Sequence, residues 1–189
     1  MLDQGASQLD VYRVVQPIVY GLLEGVNGSI LAYGQTGSGK THTLIGMQPL
    51  MPFCSRVVTL AGDLKCDNAR GIAPRAAKEL MTTVGGGINK RVVVEAAEIY
   101  CERVFDLLNP ANADLQIKQS VENGVHIAGL VEIAVSDEAE LNGVMQAAME
   151  NRTVGSTAMN AQSSRSHCII NIKLIQLNSG QKATRHNPA

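Results

Sequence analysis

The residues best suited to chemistry are Gly34-Gln35-Thr36-Gly37-Ser38-Gly39-Lys40-Thr41, two glycines separated by four residues and followed by Lys and a hydroxyl side chain. This spacing fits a phosphate cradle. Small residues let successive backbone N–H groups turn inward toward phosphate oxygens, where larger side chains would obstruct them. Lys40 then reaches the β- and γ-phosphates as a point charge, and Thr41 offers its hydroxyl to Mg²⁺. A helix starting at this point adds its positive dipole end. Polyphosphate is the expected ligand class.

A second polar cluster, Asn160-Ala161-Gln162-Ser163-Ser164-Arg165-Ser166-His167, combines three hydroxyls, two amides and a guanidinium just before an alternating run. Such an octet is ordinarily a solvated connection. Beside a phosphate cradle it becomes a candidate sensor of the γ-phosphate, because Ser and Asn bond phosphate oxygens or Mg²⁺ and such loops respond to nucleotide state.

Several elements must position these two loops. Ser29-Ile30-Leu31-Ala32-Tyr33 is an uncharged apolar run leading into the glycines, and is expected to be a strand buried on both faces. Val11, Val14, Val15, Ile18, Val19, Leu22 and Leu23 recur at helical spacing, so Asp10 to Glu24 reads as an amphipathic helix that Pro17 should kink or divide. After a short helix over Thr41 to Ile45, residues 46–70 carry Pro49 and Pro52 and no sustained period, and read as an inserted surface loop. Within it, Val57 to Asp63 resembles the apolar strand ending in a Mg²⁺-holding Asp, but the Asp follows a Gly and comes too soon after the cradle.

Ile72, Ala76, Leu80 and Val84 predict a helix with Pro74 in its first turn and Gly85-Gly86-Gly87 ending it. Arg91 to Tyr100 predicts a strand, and Val104 to Leu108 with Pro110 closes that unit. Leu115 to Lys118 and Val125 to Ile127 alternate around Asn123-Gly124 as a hairpin does, with His126 a surface residue. Ser136-Asp137 and Glu140 cap a helix whose buried stripe is Leu141, Val144, Met145, Ala148 and Met149. A final strand is expected over Ile170 to Leu177.

Composition sets the class. With 189 residues, 45% hydrophobic and 17% charged, the chain is globular and forms one sizeable core. A formal net charge of −1 argues against nucleic acid or an acidic membrane as a partner of the whole molecule. Cys54, Cys66, Cys101 and Cys168 are too dispersed for a zinc or redox pair, as expected of reduced thiols inside a cell. No apolar run has membrane-spanning length and no leader pattern opens the chain.

Taken together, the sequence resembles part of a kinesin motor domain. The likeness rests on Asn27-Gly28, Ala32-Tyr33 running through the cradle to His42-Thr43, Gly71-Ile72-Ala73-Pro74-Arg75-Ala76, Glu98-Ile99-Tyr100, Asp106-Leu107-Leu108, Asn151-Arg152, Met159-Asn160 and Ser163-Ser164-Arg165-Ser166-His167. It extends from about Val11 to Leu177. The resemblance implies an α/β P-loop NTPase with a central, mostly parallel β-sheet flanked by helices, here incomplete. It implies ATP and Mg²⁺ as ligands, with Gly34, Gln35, Thr36, Gly37, Ser38, Gly39, Lys40, Thr41 and His42 at the nucleotide. Thr41 and Ser164 would meet the metal ion, Asn160 and Ser164 the γ-phosphate, and Ser163 the attacking water. Arg165 would pair with a glutamate of the family's second switch. The implied output is ATP-driven movement along microtubules in the cytoplasm, with Lys118 near the hairpin meeting tubulin's acidic surface.

The departures also carry expectations. The Asp-x-Ala-Gly-x-Glu segment of the second switch does not follow Leu177, and the first strand with its adenine-flanking Arg-x-Arg-Pro is not found before Val11. Val26 replaces an aromatic and Cys101 an Asn, so weakened adenine binding is expected. A truncated motor domain with exposed strand edges follows from this reading. Two alternatives remain at this stage: an inactive relative that binds nucleotide or partners without turnover, and a small nucleotide kinase, for which no Arg-rich lid is visible.

Overall fold

Val92-Val93-Val94 is β-branched and apolar on both faces, and the strand it nucleates becomes the middle of the sheet. The computed structural model describes residues 5–46, 69–84, 90–121, 124–158 and 166–176. In order these hold α1 (Gln8–Leu23), α2 (Lys40–Leu44), α3 (Ile72–Val84), β1 (Lys90–Tyr100), β2 (Arg103–Asp106), β3 (Gln116–Ser120), β4 (Gly124–Ala128), β5 (Ile133–Val135), α4 (Glu138–Ala158) and β6 (Ser166–Gln176).

β6 lies antiparallel along the whole of β1, from Lys90 opposite Gln176 to Tyr100 opposite Ser166. The other edge of β1 is shared by β5, at Val92 to Val94, and β2, at Ala97 to Tyr100, both antiparallel. β3 and β4 form a separate hairpin. The strand pairings among the described residues are thus antiparallel, where the sequence reading placed a mostly parallel sheet. β1 and β2 meet through the tight turn Cys101-Glu102, both at positive φ, and β1 and β6 are joined antiparallel across a long connection.

α1, α3 and α4 cover one face of the sheet. Tyr12 and Val19 of α1, Ile72, Ala76, Ala77 and Leu80 of α3, and Leu141 and Met145 of α4 pack with Val92 and Val94 in one core. A second cluster joins Ala148 and Met149 of α4 to Ala96 and Leu107. Burying these side chains is the main favourable term holding the helices down, at about 1.5–3 kcal/mol for each large residue.

α1 begins at Gln8, earlier than the apolar spacing predicts, because Ser7 and Asp10 form a reciprocal capping box. The two hydrogen bonds from Ser7 hold the Asp10 carboxyl below its usual value. Pro17 does not divide the helix, which runs unbroken to Leu23. A proline removes one hydrogen bond of the ladder, and the buried Tyr12 and Val19 on either side keep both halves docked. α4 starts as expected, with Glu140 N–H donating to Asp137 Oδ1 at 2.8 Å and Ser136 N–H to Glu140 Oε2 at 2.8 Å.

The expected strand over Ser29 to Tyr33 is absent: the segment is irregular, with Leu31 88% and Tyr33 96% exposed. Ile30 alone of its large residues packs against the core. A strand requires a neighbour to bond, and among the described residues no strand pairs with this segment. Of the inserted loop, residues 47–68, including Val57 to Asp63, lie outside the described residues. Its two ends are held together by an antiparallel bridge between Gly46 and Arg70 and by Gly71 N–H donating to Ile45 O at 2.9 Å.

Candidate nucleotide site

The loop from Gly34 to Gly39 is built by backbone conformations that L side chains rarely adopt. Gly37 has φ +78° and Gly39 φ +89°, and open space lies where a Cβ would stand at either. At Gly34 a Cβ would come within 2.6 Å of Ser38 Oγ. Ser38 N–H donates to Gln35 O at 3.2 Å, closing the turn. Gly39 caps α2, whose first residues are Lys40 and Thr41.

Lys40 folds back over this loop. Its Nζ donates to the carbonyl oxygens of Gly34 at 2.7 Å and Gln35 at 2.8 Å. The ammonium is therefore held beside a glycine-rich turn with open space at the Cβ positions of Gly37 and Gly39, and its charge suits a polyphosphate. Thr41 stands next to it at the helix start, where a hydroxyl oxygen suits a hard divalent cation. Among the described residues no cluster of three or more His, Cys, Asp or Glu is arranged to hold a metal ion. His42 meets α1: Gln8 Nε2 donates to His42 O at 2.6 Å and lies 3.1 Å from His42 Nδ1, tying the cradle helix to the core.

Asn160, Ser163, Ser164 and Arg165 lie outside the described residues, so the described part of the site is the cradle. The ends of that cluster's segment are defined. α4 runs to Ala158 and β6 starts at Ser166, which together with His167 belongs to the strand and not to the loop in which the sequence reading placed them.

Two hydrogen-bonded groupings were not legible from spacing. Asn151 Nδ2 donates to Leu107 O at 2.8 Å, and the next residue, Arg152, places Nε 3.3 Å from Glu98 Oε1 and Nη2 3.3 Å from Ser166 Oγ. Asp106 is buried and accepts from the N–H groups of Leu108 at 2.8 Å, Asn109 at 3.1 Å and Val131 at 2.9 Å. It organises the turn on which Leu107 is presented to Asn151. Cys168, across from Glu98, is a free thiol pushed up by burial, and Cys101 is free and exposed. No helix among the described residues is long and apolar enough to cross a membrane.

The comparisons with known proteins agree with this geometry. The kinesin motor domain family model matches residues 1–188. The kinesin heavy chain of Botryotinia fuckeliana is 38% identical over 182 residues, covering 94% of this chain and 19% of its own length. Kinesin-like protein KIF22 of Rattus norvegicus is 37% identical over 178 residues, covering 90% of this chain and 24% of its own. The chain thus spans between about a tenth and a quarter of the length of the curated relatives it matches. A solved structure of a fast kinesin, described for its ATPase mechanism and interactions with microtubules, superposes with a TM-score of 0.75 at 30% identity, covering 100% of this chain and 55% of its own.

Fold and loop together place the chain in the α/β P-loop NTPase class. By the match along almost its whole length, the chain belongs to the kinesin motor domain family.

Proposed function

We infer that this chain is the nucleotide-gripping part of a microtubule-based motor that hydrolyses ATP. The observation that carries the reading is the cradle itself: Gly37 and Gly39 in left-handed conformations and Lys40 Nζ bonded to Gly34 O and Gln35 O, in a chain of the kinesin motor family. In this reading the N–H groups of Gln35 to Gly39 hold the phosphates, and Lys40 neutralises the β- and γ-oxygens as charge develops on them. A Mg²⁺ ion held by Thr41 and Ser164 would supply further charge neutralisation there. Asn160 would bond the γ-phosphate, Ser163 would orient the attacking water, and Arg165 would close the site by pairing with a carboxylate. Residues 46–70 act as a surface insertion in a single domain. The partner is the microtubule, met in part by the exposed hairpin β3–β4 carrying Lys118, and the place of action is the cytoplasmic cytoskeleton.

The test is ATP turnover by the full-length protein with and without microtubules, beside its Lys40→Ala variant. Microtubule-stimulated hydrolysis lost in the variant supports the reading. Nucleotide binding without turnover would replace the motor by a binding module, and no nucleotide-dependent association with microtubules would end the motor assignment.

A further inference from the structure

One side chain of α1 holds the helix that carries Lys40 and Thr41. α2 ends at Leu44, so its carbonyls have few intrahelical donors, and the N–H groups of Ile45 and Gly46 both turn to Thr41 O, at 2.8 and 3.3 Å. The donor that His42 O receives is the side chain of Gln8. Its Nε2 stands 2.6 Å from that oxygen and also lies 3.1 Å from Nδ1 and 3.4 Å from Nε2 of the His42 ring. Gln8 is nine-tenths buried and comes 34 positions earlier in the chain.

The orientation of this amide has a cost. A carbonyl oxygen only accepts, so the NH₂ group must face His42 O, and Gln8 Oε1 is left buried with no hydrogen-bond partner among the described residues. An apolar side chain of similar length would leave no such orphan. The amide therefore serves α2 more than it serves the packing of α1. The remaining anchors of α2 lie at its far end: Leu44 packs against the main core cluster, and Ile45 O accepts from Gly71 N–H at 2.9 Å. In the first turn Thr41 and His42 are exposed, and Lys40 is bonded within its own loop, to Gly34 O and Gln35 O. Among the described residues, Gln8 supplies the hydrogen bonds that join this turn to another element.

We propose that Gln8 is a positioning residue for the phosphate cradle: by holding His42 it fixes Lys40 and Thr41 against α1 before nucleotide arrives. The proposal rests on the functional reading given above. A turn already seated takes up phosphate without having to be ordered by it, so removing the seat weakens every ligand that the cradle holds. ADP and ATP both place phosphates there, and both should weaken together.

The experiment uses the full-length protein and its Gln8→Met, Gln8→Asn and Gln16→Met variants. Gln8→Met keeps the length and removes the donor together with the orphan oxygen, whereas Gln8→Asn keeps an amide that is one methylene short of His42 O. Gln16 is the control, since it lies on the same helix but its Nε2 donates to Glu79 Oε1 of α3, at 2.8 Å. Dissociation constants for ADP and a non-hydrolysable ATP analogue, steady-state ATP turnover and melting temperature are measured. Both Gln8 variants are expected to bind both nucleotides about tenfold more weakly, the size of one lost hydrogen bond. KM for ATP should rise with kcat nearly unchanged, because the turn is ordered once, on binding, before the chemical step. Gln16→Met should keep the parent's affinities, and Gln8→Met should melt no lower than Gln16→Met.

Parent-like affinity in either Gln8 variant, in a parent that binds both nucleotides, overturns the positioning role and leaves the functional reading intact. An equal fall in affinity in Gln16→Met also overturns it, since the loss would then follow α1 as a whole and not His42. So does melting of Gln8→Met below Gln16→Met, the mark of a purely structural role. A parent that binds neither nucleotide removes the functional reading and this proposal together.

Discussion

Lys40 Nζ donates to the carbonyl oxygen of Gly34 at 2.7 Å, so the cation of the cradle is held by the main chain at the cradle's own entrance. Replacing it by alanine removes charge without touching the core, because Lys40 lies at the edge of the fold on a five-residue helix. Lys40→Ala is expected to lower ATP turnover by about 10²–10³, in the range of losing one group aimed at developing charge. Melting temperature should change little. Steady-state hydrolysis and calorimetric melting, run side by side, check both halves.

Gly71 packs against the opposite backbone so closely that a Cβ would stand 2.5 Å from the Ile45 carbonyl carbon and 2.6 Å from Gly46 N. Neither neighbour is a side chain that can turn aside. Gly71→Ala should destabilise the protein by about 1–3 kcal/mol. Gly143, on the exposed side of α4, has nothing within 4 Å of its would-be Cβ, and Gly143→Ala should stabilise by about 1 kcal/mol. Urea titration of the two variants should give midpoint shifts of opposite sign.

Asp106 accepts three backbone N–H groups while buried, so Asp106→Asn must turn an NH₂ group toward donors already present. A loss of about 1–3 kcal/mol is expected. Asp106→Ala should cost at least as much, as it leaves all three donors without this acceptor. Chemical denaturation measures it, and hydrogen exchange at Leu108, Asn109 and Val131 should accelerate locally in both variants.

Acid should loosen the junction between α3 and α4. Partial burial alone would raise the Glu138 carboxyl, but the hydrogen bonds from Arg70 and Lys78 outweigh it and hold the group below the usual glutamate range. A depressed carboxylate contributes stability that is present above about 4.5 and lost as pH falls through the lowered value. Glu132, held down chiefly by Lys173, acts in the same direction. Melting temperature followed from pH 7 to pH 3 should fall, and Glu138→Gln should melt lower than the parent at pH 7 yet converge with it at pH 3.

The parts of this fold that could be read in the sequence are those fixed by near neighbours. The stripe Leu141, Met145, Ala148 and Met149 announces α4, the run Val92 to Val94 announces β1, and alternation about Gly124 announces the β3–β4 hairpin. Glycine and lysine spacing likewise marks the cradle, whose conformation is local. Ser29 to Tyr33 misled because a strand's existence depends on a partner that its own residues do not name, and here Leu31 and Tyr33 face water. The pinch at Gly46 and Arg70 joins residues far apart in the chain. So does Arg152 with Glu98, 54 positions away, and neither pairing leaves a periodic trace.

That pinch has a practical consequence for how such a domain can vary. Because Gly46 and Arg70 are already bridged, and Gly71 is bonded to Ile45, the points where residues 47–68 leave and rejoin the fold are fixed side by side. With both ends fixed, a change in the length of the connection between them costs little closure entropy, about 0.6 kcal/mol per doubling. Subfamilies could therefore graft unrelated binding determinants one helical turn downstream of the phosphate grip while α2 and α3 keep their seats.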